Sequence, residues 1–253
     1  MRLITYMFCM LLIFLMVIPS FAQTTTSLDN AQQAYDAGNF DAAIQFFELT
    51  ISGGIYNGEI FYNVANAHYQ QGDIGTALLN YNRALQYIPR DLDLNIQIAR
   101  TRALRNIPTT DTTHPIILIE QLTATTVTIN ELSIVTLSLW SLFWILIALY
   151  QVKHSWHNTL KFAIRVMLTI ILGFGILLGS RLYMYHAMPP AVITIGSAPV
   201  YSGPSISYFR QYDLFEGAEI YITDTQDEWS KFVTADNRIG WVQTDTFQKV
   251  HLD

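Results

Sequence analysis

The sequence predicts a multidomain membrane protein: an exported α-solenoid, a transmembrane α-hairpin and a small all-β barrel. Three observations lead there. Charged residues make up only 13% of the 253 and apolar residues 51%, against roughly 25% charged in ordinary globular domains. The apolar residues are concentrated in three runs. The polar stretches between them change period, helical before the second run and alternating after the third.

The first run is "MRLITYMFCMLLIFLMVIPSFAQ". Arg2, an apolar stretch over residues 3–18, Pro19, and the small residues Ser20 and Ala22 before Gln23 match a secretory signal peptide over 1–22, with cleavage after Ala22. An uncleaved anchor is the alternative. Cys9 is the one cysteine and lacks the small residues that precede a lipidated cysteine, so neither an internal disulfide nor a cysteine metal site is expected.

The second run, residues 132–150, holds 19 uncharged residues and spans about 28 Å as a helix, close to the hydrocarbon thickness of a bilayer. The third, 162–183, carries Arg165 and Arg181 near its ends, where long basic side chains reach the interface. Gly173, Gly175 and Gly179 suit a membrane helix better than a soluble one. The Gly175–Gly179 spacing reads either as a close helix contact or as simple tolerance of glycine in lipid. Both runs are therefore expected to be transmembrane.

Residues 151–161, "QVKHSWHNTLK", together with Arg165 carry three positive charges and no acidic residue. Short basic loops stay cytoplasmic. By contrast, residues 23–131 hold five Lys/Arg against 11 Asp/Glu, and residues 182–253 hold four against nine. Signal and charge bias agree on a multi-pass protein of the cytoplasmic membrane with both large polar regions on the extracytoplasmic side. His154 and His157 share a helical spacing, but further ligands are lacking; a solvated loop is expected and no metal. The acidic balance gives no reason to expect nucleic acid.

Shifted by 34 residues, "YDAGNFDAAIQFFELTI" overlies "YQQGDIGTALLNYNRAL": Tyr35 on Tyr69, Gly38 on Gly72, Ala43 on Ala77, Phe47 on Tyr81, Ile51 on Leu85. In the second copy Ala77, Leu78, Tyr81, Ala84, Leu85 and Ile88 recur at helical spacing as one buried face. Pro89 closes that helix. This period and pattern resemble tetratricopeptide repeats, with Phe61, Val64, Ala65, Gly72, Ala77, Tyr81, Ala84 and Pro89 at the family's marker positions. The first copy departs, with Thr50 where alanine is usual and no closing proline. The repeat domain is assigned to 23–106: repeats 25–57 and 58–91, then a capping helix 92–106 that looks like half of a third repeat. The resemblance implies a partner-binding groove carrying Tyr35, Tyr62, Asn66, Tyr69 and Gln70. Asn63 matches a residue some repeats use to clamp a peptide carboxylate, but Leu28, Gln32, Asp93 and Gln97 stand where that clamp needs basic groups; a helix-packing role is preferred. Arg100, Arg102 and Arg105 are expected on a solvated outer face, with an acidic partner as the alternative. Residues 107–131 read as a linker with an interfacial segment.

Residues 192–250 alternate in short strands. Ser202-Gly203-Pro204-Ser205, Gly217, Trp229 and Gly240-Trp241-Val242 resemble the sharp turn, strand-entry glycine, central tryptophan and closing strand of bacterial SH3-like domains. Tyr201 replaces the arginine usual before that turn. Tyr201, Tyr208, Trp229 and Trp241 are candidates for a ligand-binding groove, or for the core of a barrel with little apolar volume to spare.

The order signal, repeats, two-span hairpin, SH3-like domain resembles the BatE-like family of aerotolerance operons over nearly the whole chain. That resemblance implies work beside membrane-anchored von Willebrand-type domains and a MoxR-type ATPase in envelope stress tolerance. A non-enzymatic envelope scaffold contacting exported or membrane-anchored proteins is expected. Peptidoglycan binding or sensing through the SH3-like domain is the alternative. His68, His114, His186 and His251 offer no convergent catalytic motif, so neither an enzyme nor a cofactor is expected.

Overall fold

A computed structural model describes residues 24–104, 126–152 and 156–252, together with His114, Ile117, Leu118, Leu122 and Thr123. The expected signal peptide, Arg105, most of the expected linker, and His154 in the expected loop lie outside the described residues. The chain divides into two compact units, Met1–Ile55 and Tyr56–Asp253, and each is taken by itself.

Among the described residues five helices come first: α1 (Thr24–Asp36), α2 (Phe40–Ser52), α3 (Gly58–Gln71), α4 (Ile74–Leu85) and α5 (Leu92–Leu104). The starts of α1, α3 and α5 are 34 residues apart, as are those of α2 and α4. The turns inside the two hairpins have one chemistry. Gly38 (φ 74°) and Gly72 (φ 82°) take the left-handed conformation that ends a helix without a Cβ penalty. The next residue caps the following helix: Asn39 accepts from the Ala42 N–H at 3.2 Å and Asp73 from the Thr76 N–H at 3.1 Å. Asn57 and Asp91, also 34 apart, cap α3 and α5 through the Ile60 and Leu94 N–H groups at 2.7 and 2.8 Å.

In the first unit Ala31, Ala43, Ile44 and Phe47 form the buried seam of α1 and α2. Thr50, the departure from the repeat pattern, is also buried, and its hydroxyl is satisfied twice. It donates to the Phe46 carbonyl at 2.9 Å and shares a 2.8 Å hydrogen bond with Ser27. A hydroxyl is thus accommodated inside the seam.

In the second unit Phe61, Val64 and Ala65 of α3 and Ala77, Leu78, Tyr81 and Ala84 of α4 are buried as the period predicts. Leu85 and Ile88 are only half-buried. Unlike the one-faced helix expected, α4 also buries Ile74, Gly75, Leu79 and Asn80. A second layer therefore covers it.

Two longer helices, α6 (Ile129–Val152) and α7 (His157–Ala187), each have a mean hydropathy of 2.2 over their most apolar window. At 24 and 31 residues they extend about 36 and 46 Å, enough to cross a bilayer. Only 6% of each window is buried, unlike the core helix of a water-soluble fold. Both helices run past the limits drawn from apolarity, because helical hydrogen bonding continues through polar residues. Helix therefore takes up Gln151, Val152 and residues 157–161 of the expected loop. His157 packs against the Tyr150 ring at 4.1 Å.

From α7 the chain passes almost directly into β1 (Pro190–Ile193), followed by β2 (Ser197–Tyr201), β3 (Arg210–Phe215), β4 (Glu219–Gln226), β5 (Trp229–Val233), β6 (Ile239–Gln243) and β7 (Phe247–Lys249). They form one seven-stranded sheet of order β3-β2-β6-β5-β4-β1-β7 with antiparallel pairings. Its inner face gathers Ile193, Val200, Leu214, Ile220, Phe232 and Val242. The outer face is divided. At one end Tyr221 and Val233 are covered by Met184 and Met188 from the end of α7, with Ile117. The other end carries aromatics.

Candidate functional site

Two surfaces and one junction carry the residues with interaction chemistry. On α3, Tyr62, Asn66 and Tyr69 are half-buried and Gln70 is exposed. Asn66 Oδ1 accepts the Tyr81 hydroxyl at 2.7 Å, and the Tyr62 ring lies 5.9 Å from that of Tyr81. This hydrogen bond fixes Asn66; Tyr62 and Tyr69 keep part of their surface accessible, and Gln70 is the exposed one of the four. Tyr35 belongs to the first unit, edge-on to Phe40 at 5.4 Å.

On the sheet, register decides which aromatics share a face. Tyr201 pairs with Trp241, and Lys231 with Trp241. Directly paired antiparallel residues point the same way, and residues two apart on one strand do too. Tyr201, Trp229, Lys231 and Trp241 therefore occupy the outer face, opposite Val200, Phe232 and Val242. The Tyr201 and Trp229 rings meet edge-to-face at 5.3 Å. Although on the outer face, Trp229 is only 9% exposed; Tyr201 and Trp241 are half-buried. Tyr208 lies flat on Gly203, whose Cβ position would fall 2.6 Å from its ring. That contact is why the Ser-Gly-Pro-Ser turn takes glycine there. Tyr208 remains 51% exposed, beside Ile206 and Phe209 at 73% and 76%.

The junction went unseen in the sequence. Between β3 and β4, Gly217 (φ 84°) makes a tight turn that presents Glu216 and Glu219 toward the helices. Glu216 Oε1 accepts the Gly75 N–H at 2.8 Å, at the amino end of α4. A carboxylate there meets the unsatisfied amides and the positive end of the helix dipole. Glu219 accepts Arg102 through Nε at 3.1 Å and Nη2 at 2.8 Å, and Asn82 Nδ2 at 2.8 Å. Arg83 donates to the Val250 and Lys249 carbonyls at 3.3 and 3.1 Å. Burial pushes the Arg83 guanidinium down. Burial acts the same way on Arg102, but the charge and hydrogen bonds of Glu219 more than reverse it. Arg102 is thus corrected from a solvated face to an internal salt bridge, while Arg100 is exposed as expected. The acidic partner of Arg102 belongs to its own chain, 117 residues away.

At the turn between α3 and α4, His68 Nδ1 lies 3.2 Å from the Asp73 carboxylate. Burial raises the Asp73 carboxyl, but the adjacent His68 ring and the Thr76 N–H outweigh it and hold the group below its usual value. Among the described residues no group of three or more His, Cys, Asp or Glu is placed to hold a metal ion. No protein-family model matches the chain, and no curated protein matches it at a significant level.

Proposed function

We propose that this protein is a non-enzymatic envelope scaffold anchored by α6 and α7. In this reading the α1–α2 and α3–α4 hairpins are tetratricopeptide-like repeats followed by the capping helix α5, the sheet is an SH3-like barrel, and all lie on the extracytoplasmic side as a BatE-like protein would place them. Exported or membrane-anchored proteins, including von Willebrand-type domains, are the partners this assigns. The observation that carries the reading is the junction. Five charged or polar side chains, Glu216, Glu219, Arg102, Asn82 and Arg83, join the helical layer to the sheet. A protein that presents two interaction surfaces gains affinity when they are held in fixed relation, because less freedom is lost on binding. The mutual 34-residue register of helix starts and caps supports the repeat assignment. The apolar windows of α6 and α7, left uncovered by protein, support the membrane assignment, since such surface is not sustained in water.

The test is photo-crosslinking in intact membranes with a reactive residue at Tyr69 or Trp241 of the full chain, and at Tyr150 as a control. Discrete protein adducts at the first two sites and not the third are expected. Absence of any adduct above the control would refute the scaffold.

Peptidoglycan binding through Tyr201, Trp241 and Tyr208 is the second reading, favoured by the aromatic outer face. Retention of the full chain on purified wall material, lost in Trp241→Ala, distinguishes it. Trp229→Ala is the poorer probe because that ring is nearly buried.

A further inference from the structure

The 34-residue register exposes a vacant place in the second unit. On α3 one face runs along α4 and carries Phe61, Ala65 and His68. Phe61 stacks on Tyr87 at 5.7 Å, just past the end of α4. Ala65 is fully buried, and His68 lies 3.2 Å from Asp73 at the start of α4. In the same register α5 has Asn95, Ala99 and Arg102 at these positions. Leu94 and Ile98 of α5 are buried, as their counterparts Ile60 and Val64 are. The other face is not covered in the same way: Ala99 is exposed and Asn95 half-buried. With Ile98 and Arg102 they line a cavity of about 760 Å³. A helix standing to α5 as α4 stands to α3 would lie here.

The lining has the spacing of helix faces. Residues 95, 98, 99 and 102 of α5 and residues 182, 185 and 186 of α7 contribute to it, joined by Leu85 and Gln86 of α4. Two turns of helix, about 10 Å across and about 11 Å long, fill about 850 Å³. The cavity is of that order and is open where Gln86 and Ala99 are exposed. Its guanidinium groups are engaged: Arg102 by Glu219 at 2.8 Å, Arg238 by Asp236 at 2.7 Å, and Arg181 by the Val127 carbonyl at 3.0 Å. An uncharged inner face therefore complements it. Asn95 spends its amide nitrogen on the Pro89 and Asp91 carbonyls, which leaves Oδ1 to accept. The chain's own continuation does not suit this place. In register with α4, residues 107–119 put Pro115 where α4 has Tyr81, and proline inside a helix breaks it. Ile117 is already committed to Met184, Met188, Tyr221 and Val233.

We propose that this cavity seats an amphipathic α-helix of a partner protein, which supplies to α5 what α4 supplies to α3. About two turns enter, with a small residue against Ala99, apolar residues toward Ile98 and Leu182, and a hydroxyl or amide donor toward Asn95 Oδ1. This is helix-in-groove recognition, and it continues the α4–α5 interface rather than opening a new surface. The inference deepens the scaffold reading and rests on it: it names the class of partner element and the place where it docks.

The test uses the full chain in mild detergent and a fluorescein-labelled peptide of residues 73–89, the segment that fills the corresponding place on α3. Anisotropy is expected to show saturable binding, absent with detergent alone. Tyr81→Pro in the peptide breaks its helix and is expected to weaken binding about tenfold. In the chain, Ala99→Trp and Leu182→Trp fill the cavity from different helices, and each is expected to weaken binding about tenfold. If either variant is folded by circular dichroism and binds as well as the parent, the peptide sits elsewhere and the proposal is overturned. Equal binding of the Tyr81→Pro peptide, or no saturation above detergent, overturns it too. The membrane crosslinking at Tyr69 and Trp241 keeps the two readings apart. Adducts there without peptide binding refute the seat alone, whereas the absence of both refutes the scaffold with it.

Discussion

Replacing Gly75 with alanine sets helix propensity against tertiary fit. In an exposed helix interior the change stabilises by up to about 1 kcal/mol. Here the Cβ would stand 2.8 Å from the Ile193 carbonyl oxygen, 2.8 Å from Glu216 Cγ and 3.1 Å from Thr194 Cα. Two of these atoms are backbone and cannot rotate away. Relief requires α4 to move off the sheet, which stretches the Gly75–Glu216 hydrogen bond of 2.8 Å. Overpacking of this kind costs about 1–3 kcal/mol, more than the propensity gain. A net loss of about 1–2 kcal/mol is expected, a factor of roughly 5–30 in the local opening equilibrium. Hydrogen exchange on the full chain in detergent reads it directly, as lost protection in peptides covering 74–85 and 215–221. Gly179→Ala, where the added Cβ meets nothing within 4 Å, serves as the control. Equal or greater protection in Gly75→Ala would refute the docking of α4 on the sheet.

The remaining predictions concern the same architecture. In a double-mutant cycle of Arg102→Met and Glu219→Gln, a coupling of about 1–2 kcal/mol is expected in denaturant midpoints, allowing for solvent screening of a partly exposed bidentate pair; additivity within about 0.5 kcal/mol would remove the salt bridge from the junction. Gly240→Ala would bring a Cβ within 2.2 Å of Val200 Cγ1, so it is expected to destabilise the sheet by about 3 kcal/mol, read as a lowered unfolding midpoint. Adding Val200→Ala should recover part of that loss, and no recovery would place the clash elsewhere. Asp73→Ala is expected to cost about 1 kcal/mol as a lost helix cap. Because the folded pKa of Asp73 lies below its unfolded value, its contribution is present above about pH 4 and declines as pH falls through the folded pKa. A urea titration in which the parent and Asp73→Ala differ equally at pH 3 and pH 7 would contradict that sign.

Local chemistry made much of the architecture legible. Gly38 and Gly72 are the residues that accept a left-handed turn, and they mark the hairpins in the chain itself. The caps Asn57 and Asp91 repeat at the same period and carry the same signal in polar residues. Alternation around Phe232 and Val242 located the sheet, because period two is a local property of a strand. The aromatic residues were harder. Tyr201, Trp229 and Trp241 read equally as groove or core, and only register puts them on the outer face. Trp229 is nearly buried there by packing against Tyr201, so placement and exposure separate.

The junction lay beyond such reasoning. Arg102 and Glu219 are 117 residues apart, and Gly75 and Glu216 are 141 apart. Nothing in the neighbourhood of either partner records the other. A half-apolar helix ending in arginines has the same pattern whether those arginines meet water or a carboxylate from another module.

By itself the sequence determined where the hairpin turns fall, the repeat of 34, and which two runs are apolar enough to cross a bilayer. These follow from backbone stereochemistry, capping and hydropathy, which act over a few residues. Only the tertiary structure decided that α4 is covered on a second face, that Arg102 is paired within the chain, and that α6, α7, the helical layer and the sheet enclose a common cavity. Those outcomes depend on shape and charge brought together across more than a hundred residues, and contact at that range is a property of the folded chain.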